Sequence, residues 1–166
     1  DCGAGAVLAP MVESADDARS LIAAGRYPPV GQRSAGGVRP LMFGLAAMRE
    51  ADRHVALGAL IETRRGVDNA ADICAVPGLN FVFIGTGDLA LSLGDADNKS
   101  LATHCASVRD AAHANGLCCG LFTNNALAAR QALVDGYDMV VVANDIELAT
   151  RGFTQAMQAS QGETPV

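Results

Sequence analysis

Two acids stand where chemistry is most readily built. Glu62 ends the apolar run Val55-Ala-Leu-Gly-Ala-Leu-Ile61 and is followed by Thr63. Asp88 comes after Phe81-Val-Phe-Ile84 and the small-residue turn Gly85-Thr-Gly87. In parallel α/β proteins the carboxyl ends of the strands form the ligand-binding face. Two carboxylates delivered there by successive strands can share one hard divalent cation, which prefers oxygen donors. Glu62 and Asp88 are therefore candidate metal ligands.

Each acid has a plainer reading. Asp after a strand often caps the next helix, because its carboxylate accepts from the first free N–H groups. Asp88 is open to either role, and Asp145, placed alike after Met139 to Ala143, reads as the cap of the last helix. Glu is a poorer cap, and a carboxylate closing an apolar strand needs a partner to offset its desolvation. The segment Gly85-Thr-Gly-Asp-Leu-Ala-Leu-Ser-Leu-Gly94 has neither the Lys-Ser/Thr pair of a phosphate loop nor dinucleotide glycine spacing. It suits a turn that brings backbone N–H groups close to a ligand beside a metal.

Other reactive side chains are less telling. Arg26 and Arg33, in a Pro- and Gly-rich loop over residues 26–37, fit either an anion-binding loop or a solvated connector. His54, His104 and His113 have no acidic or nucleophilic neighbour at a telling spacing and read as surface or helix-face residues. Ser92 lacks a nucleophile elbow. The single lysine, Lys99, sits in a polar stretch away from any strand end, which argues against Schiff-base chemistry. The five cysteines, Cys2, Cys74, Cys105, Cys118 and Cys119, have no zinc-like spacing and read as small core residues of a reducing cytoplasm.

The elements that must position these residues alternate along the chain. Apolar strands are expected at 6–12, 55–61, 81–84, 117–122 and 139–143. Helices are expected from Ser14, with Asp17 three residues on, to Gly25, near 42–53, from about 66 to 75, over 100–115, over 125–135 and from 146 to about 158. A weak echo links 78–89 with 136–146: a glycine turn, an apolar strand and an acid opening a helix. Strand and helix in alternation predict a parallel sheet of right-handed βαβ units. The run Val140-Val-Val142 suits a strand covered on both faces.

The 166 residues suffice for one domain with a substantial core. A formal net charge of -6 and the absence of a basic run argue against nucleic acid as a partner. No apolar stretch approaches the ~20 residues that span a bilayer. The start at Asp1, already close to a strand, and a count of five strands make the chain read as the later part of a larger domain.

Four motifs in order now carry a resemblance: Ala9-Pro-Met-Val12, Arg26-Tyr-Pro-Pro-Val-Gly-Gln-Arg33, Ile61-Glu-Thr63 and Phe83-Ile-Gly-Thr-Gly-Asp-Leu-Ala-Leu-Ser-Leu-Gly94. From residue 1 to about 157 the chain resembles the HpcH/HpaI aldolase/citrate lyase family, in particular its class II pyruvate aldolases. The resemblance implies a phosphoenolpyruvate/pyruvate-type (β/α)8 TIM barrel, an α/β fold of which this chain holds the later five β/α units. Residues 1–158 would be the C-terminal portion of a single barrel domain and 159–166 a tail.

By the same resemblance, Glu62 and Asp88 match the family's metal ligands for Mg, Mn or Co, and Gly85, Thr86, Gly87 and Asp88 line the place of the pyruvate moiety. Thr86 stands where the family usually has Pro, and Leu60 where a polar residue is common. The family's catalytic His and pyruvate-binding Arg lie on strands preceding residue 1, so no catalytic base is assigned to this chain. The implied reaction is cleavage of a 4-hydroxy-2-oxo acid to pyruvate and an aldehyde through a metal-bound pyruvate enolate. The implied setting is a cytoplasmic homo-oligomer, trimer or hexamer. The alternatives are a CoA-ester lyase of the citrate lyase type, a non-catalytic fragment, and a small-molecule binding domain on a doubly wound sheet.

Overall fold

The computed structural model describes residues 3–36, 38–94 and 100–162. Five strands, β1 (Ala6–Ala9), β2 (Ala56–Ile61), β3 (Phe81–Ile84), β4 (Cys118–Phe122) and β5 (Met139–Val141), form one sheet in the order β1-β2-β3-β4-β5. Every neighbouring pair is parallel, with registers such as Ala59↔Val82 and Val82↔Cys119. Each new strand is laid on the same side of the last. A doubly wound sheet reverses direction at a switch point, and this sheet has no reversal, so the doubly wound alternative is overturned.

Alternation along the strands divides the two faces. Leu57, Ala59 and Ile61 of β2, Val82 and Ile84 of β3, and Cys119 and Leu121 of β4 enter the main core, most of them with no exposed surface. The helices supply its other side: α1 (Ala15–Gly25) through Ala18 and Ile22, α4 (Ala70–Cys74) through Ile73, α5 (Thr86–Leu93) through Leu89, and α6 (Leu101–Ala114) through Val108 and Ala112. On the opposite face large rings lie over small neighbours. A Cβ on Gly58 would run into the ring of Phe81, and one on Gly120 would stand 2.6 Å from Phe83 Cδ2. Alternate small and large residues fill such a face without voids.

Local signals account for most helix ends. Ser14 accepts from the Asp17 N–H, and Asp17 accepts in turn from Ser14 Oγ and the Glu13 N–H, a reciprocal cap. Ser100 caps α6, and Asn125 caps α7 (Ala126–Val134). The loop after Arg26 is irregular through Gly36, as its Pro and Gly content requires, and α2 spans Val38–His54.

Several boundaries differ from expectation. The strand expected at 6–12 stops at Ala9 before Pro10, and the one expected at 139–143 stops at Val141, with Val141 and Val142 exposed rather than covered on both faces. The helix expected over 66–75 is two short ones, α3 (Arg64–Asp68) and α4, because Asn69 adopts φ -99°, ψ 8° between them. The helix expected near 42–53 begins at Val38, and Gly44 at φ 78° breaks it. The last helix, α8 (Asp145–Ser160), runs past 158, so the tail expected from 159 shortens by its first two residues. Residues 163–166, Lys99 and Cys2 lie outside the described residues.

Candidate metal and substrate site

Glu62 extends the face of β2 that carries Gly58 and Leu60, one residue past the strand's end. It is only 6% exposed. One carboxylate oxygen, Oε1, accepts from the Met11 main-chain N–H at 2.8 Å. The other faces β3's end: a Cβ added to Gly85 would stand 3.0 Å from Glu62 Oε2 and 2.9 Å from Glu62 Cβ. Gly85 is thus the residue that lets the carboxylate approach. The same added Cβ would lie 3.5 Å from Leu60 Cδ1, so the floor beneath the carboxylate is apolar. Among the described residues no Arg, Lys or His side chain forms an ion pair with Glu62. A buried carboxylate with one neutral donor is poorly compensated.

Asp88 comes one helical turn after Gly85, in the first turn of α5. It is exposed and it is not the cap: the N-cap is Gly85, which has no side chain to offer the helix. The first N–H groups of α5, those of Thr86, Gly87 and Asp88, precede the first intrahelical bond, Leu89 N–H to Gly85 O at 2.9 Å. The Thr86 hydroxyl donates to Phe122 O at 3.2 Å, tying the start of α5 to the end of β4. One strand further on, the Thr123 hydroxyl donates to Val141 O at 3.0 Å. The four residues Gly85, Thr86, Gly87 and Asp88 therefore form one anchored strand-to-helix turn beside Glu62.

Other candidates are placed elsewhere. Arg26 is buried, and its guanidinium donates to Asp52 O, Val55 O and Asn80 Oδ1 just ahead of β2 and β3. It pins the amino ends of the strands, opposite the acids, so an anion-binding role for Arg26 is overturned. Arg33 lies over the Tyr27 ring at 4.5 Å in the same region. Asp145 does not cap α8: Asn144 does, its Oδ1 accepting from the Glu147 N–H at 2.7 Å. The amide oxygen one residue earlier reaches the free N–H of the helix's third residue, Glu147, whereas Asp145 Oδ1 accepts from the adjacent Ile146 N–H.

The three histidines are on helices. His54 closes α2 ahead of β2, and His104 is buried in α6. His113 pairs with Asp138 at 2.9 Å, and the same oxygen accepts from the Cys119 N–H. That N–H and the His113 ring hold the Asp138 carboxyl below the usual carboxylate range. Cys74, Cys105 and Cys119 are core thiols that burial pushes up to about 11, 11 and 12. Cys118, on the alternate face, is exposed and departs from the all-core expectation. Among the described residues no group of three or more His, Cys, Asp or Glu converges on one point.

Parallel strands laid in one direction, with acids at the carboxyl ends of two neighbours, are β/α-barrel architecture. Solved structures agree. An HpcH/HpaI aldolase/citrate lyase family protein from Burkholderia cenocepacia superposes with a TM-score of 0.86 at 34% identity, over 96% of this chain and 66% of that one. An HpcH/HpaI aldolase from Desulfitobacterium hafniense gives 0.82 at 27% identity, over 98% and 66%. The model of the HpcH/HpaI aldolase/citrate lyase family matches residues 1–151, and the chain belongs to that family. A hydroxypyruvate/pyruvate aldolase of Rhizorhabdus wittichii is 37% identical over 163 residues, 95% of this chain. The chain spans 65% of that relative's length.

Proposed function

We propose that this chain is the carboxyl-terminal portion of a single β/α-barrel lyase that cleaves a 4-hydroxy-2-oxo acid to pyruvate and an aldehyde. The observation that carries the reading is Glu62: a buried carboxylate with, among the described residues, one neutral donor and no cationic partner, its second oxygen turned to a glycine turn that holds Asp88. The kinship with proteins named for pyruvate and 4-hydroxy-2-oxo acid aldolase activities supports the substrate class.

The residues present fit a divalent cation. Gly85 lets the Glu62 carboxylate close on the turn that carries Asp88, and both acids are hard oxygen donors. Mg, Mn and Co fit such a pair, with substrate and water completing the shell. When bound, the cation supplies Lewis-acid stabilisation of the charge that C3–C4 cleavage places on the pyruvate portion. The chain's own part is to hold and orient. The N–H groups of Gly87 and Asp88, which precede the first intrahelical bond of α5, would receive the pyruvate carboxylate, since the helix dipole favours an anion there. Thr86 contributes its N–H, while its hydroxyl is engaged with Phe122 O and steadies the turn. Leu60, beside Gly85, keeps the floor beneath Glu62 apolar, which strengthens the electrostatics above it. The general base that takes the C4 hydroxyl proton is assigned to no residue of this chain.

The setting follows the same reading: a cytoplasmic homo-oligomer, with α8, which buries none of its own residues, available to a neighbouring subunit. Among the described residues no helix is long and apolar enough to cross a membrane.

Calorimetric titration of Mn(II), with and without pyruvate, tests the proposal. Binding that tightens with pyruvate, and that Glu62→Gln abolishes with the fold intact, is the expected result. Affinity unchanged by Glu62→Gln removes Glu62 from the site and the reading with it.

A further inference from the structure

Among the described residues Met11 is the one non-glycine with a left-handed backbone, at φ 55°. It follows Pro10, at the carboxyl end of β1, and it donates its N–H to Glu62 Oε1. Residues in this region are strained by ~1–3 kcal/mol and persist where the surroundings over-determine them. Here they do. The next N–H, of Val12, bonds Leu60 O at 3.3 Å, and Val12 is buried. Asn69 donates to Glu13 O at 2.8 Å, and Gly66 packs beneath Val12 O, where a Cβ would stand 2.9 Å away. The segment from Met11 to Glu13 is thereby clamped across the end of β2, and the clamp turns the Met11 N–H onto the carboxylate.

We infer that Met11 is a positioning residue for the metal site: its left-handed backbone aims the main-chain N–H at Glu62 Oε1 and reserves Oε2 as the single oxygen facing Gly85 and the cation. The inference rests on the metal reading above. The Met11 side chain is 58% exposed and no part of the argument depends on it. A turn that merely filled space would not need a strained residue to deliver a donor to the buried Glu62 carboxylate at the carboxyl end of the sheet.

The test is spectroscopic and uses the whole chain. With selective 15N labelling of methionine, the Met11 amide proton is expected downfield, as for a donor to a carboxylate, and to move upfield as Mg(II) is added and draws charge from Glu62. The amides of Met42, Met48 and Met157 are expected to stay in place. Glu62→Gln is expected to abolish the Met11 response. A backbone ester at position 11, which removes the N–H and keeps the side chain, lets Glu62 turn away from the cation and is expected to weaken Mn(II) binding by about tenfold or more, the usual cost of losing a group that orients a metal ligand. A Met11 amide that ignores Mg(II) while calorimetry shows the ion binding overturns the inference and leaves the proposed function standing. An ester variant that binds Mn(II) as tightly as the parent does the same. Calorimetry showing no metal binding to the parent chain removes both.

Discussion

Gly85→Ala probes the contact on which the site depends. The backbone at 85, φ -81° and ψ 83°, lies near the inverse γ-turn region open to any L-residue, so alanine meets no conformational barrier there. The added Cβ would stand 2.9 Å from Glu62 Cβ and 3.0 Å from Oε2, against ordinary carbon contacts of ~3.5–4.0 Å. Glu62 would have to retreat by roughly 0.5–1 Å by that comparison, yet its Oε1 is held by Met11. Overpacking of this kind costs about 1–3 kcal/mol, and each kcal/mol lowers Tm by about 2–4 °C in a chain of this size. Because the retreating atom is the metal donor, Mn(II) affinity falls at least about tenfold, the equivalent of 1.4 kcal/mol. Gly87→Ala is the matched control. A Cβ there meets nothing within 4 Å, and within α5 alanine gains about 0.5–1 kcal/mol over glycine. Urea denaturation and metal titration of both variants read the difference. The reasoning is refuted by a Gly85→Ala protein with parental stability and parental affinity, since Glu62 then does not rest against residue 85.

Three further expectations are independent of the metal. Asp138→Asn lowers stability at neutral pH by about 1 kcal/mol, a modest figure because the Asp138 and His113 side chains are 42% and 41% exposed. The Asp138 carboxyl is held below its usual range, so its contribution is present above an unfolded pKa of about 3.9 and is lost as pH falls through the lower folded value. Parent and variant therefore converge in acid, and a gap that did not narrow as pH falls below the unfolded value would contradict this linkage. Asn144→Ala costs about 1 kcal/mol as a lost helix cap, whereas Asp145→Ala costs less, and thermal melts that reversed the order would restore Asp145 as the cap. Among the four described cysteines Cys118 reacts with maleimide in the native protein at neutral pH. Cys74, Cys105 and Cys119 react only on unfolding, and mass spectrometry of the labelled chain reads which.

What the sequence determined by itself was local. Apolar runs and capping residues placed the five strands and the starts of α1, α6 and α7, because a cap such as Ser14 bonds three residues away and a strand's side chains alternate regardless of partners. Glu62 at the end of β2 and the glycine turn after β3 were legible for the same reason, since each follows its apolar run directly. The break at Asn69 and the cap at Asn144 were missed: several residues there have similar propensities, and packing selects among them. Only the tertiary structure could decide the rest. The single direction of the sheet, the engagement of Arg26 with groups 26 to 54 residues away, and the approach of Gly85 to Glu62 arise from register between strands. The Met11 N–H meets its carboxylate across 51 residues, and neither partner's own sequence neighbourhood contains a sign of the other. Such contacts exist only once the strands have paired, so residue type marked where an acid could sit, while the fold decided which of its oxygens is held and which is left to face a ligand.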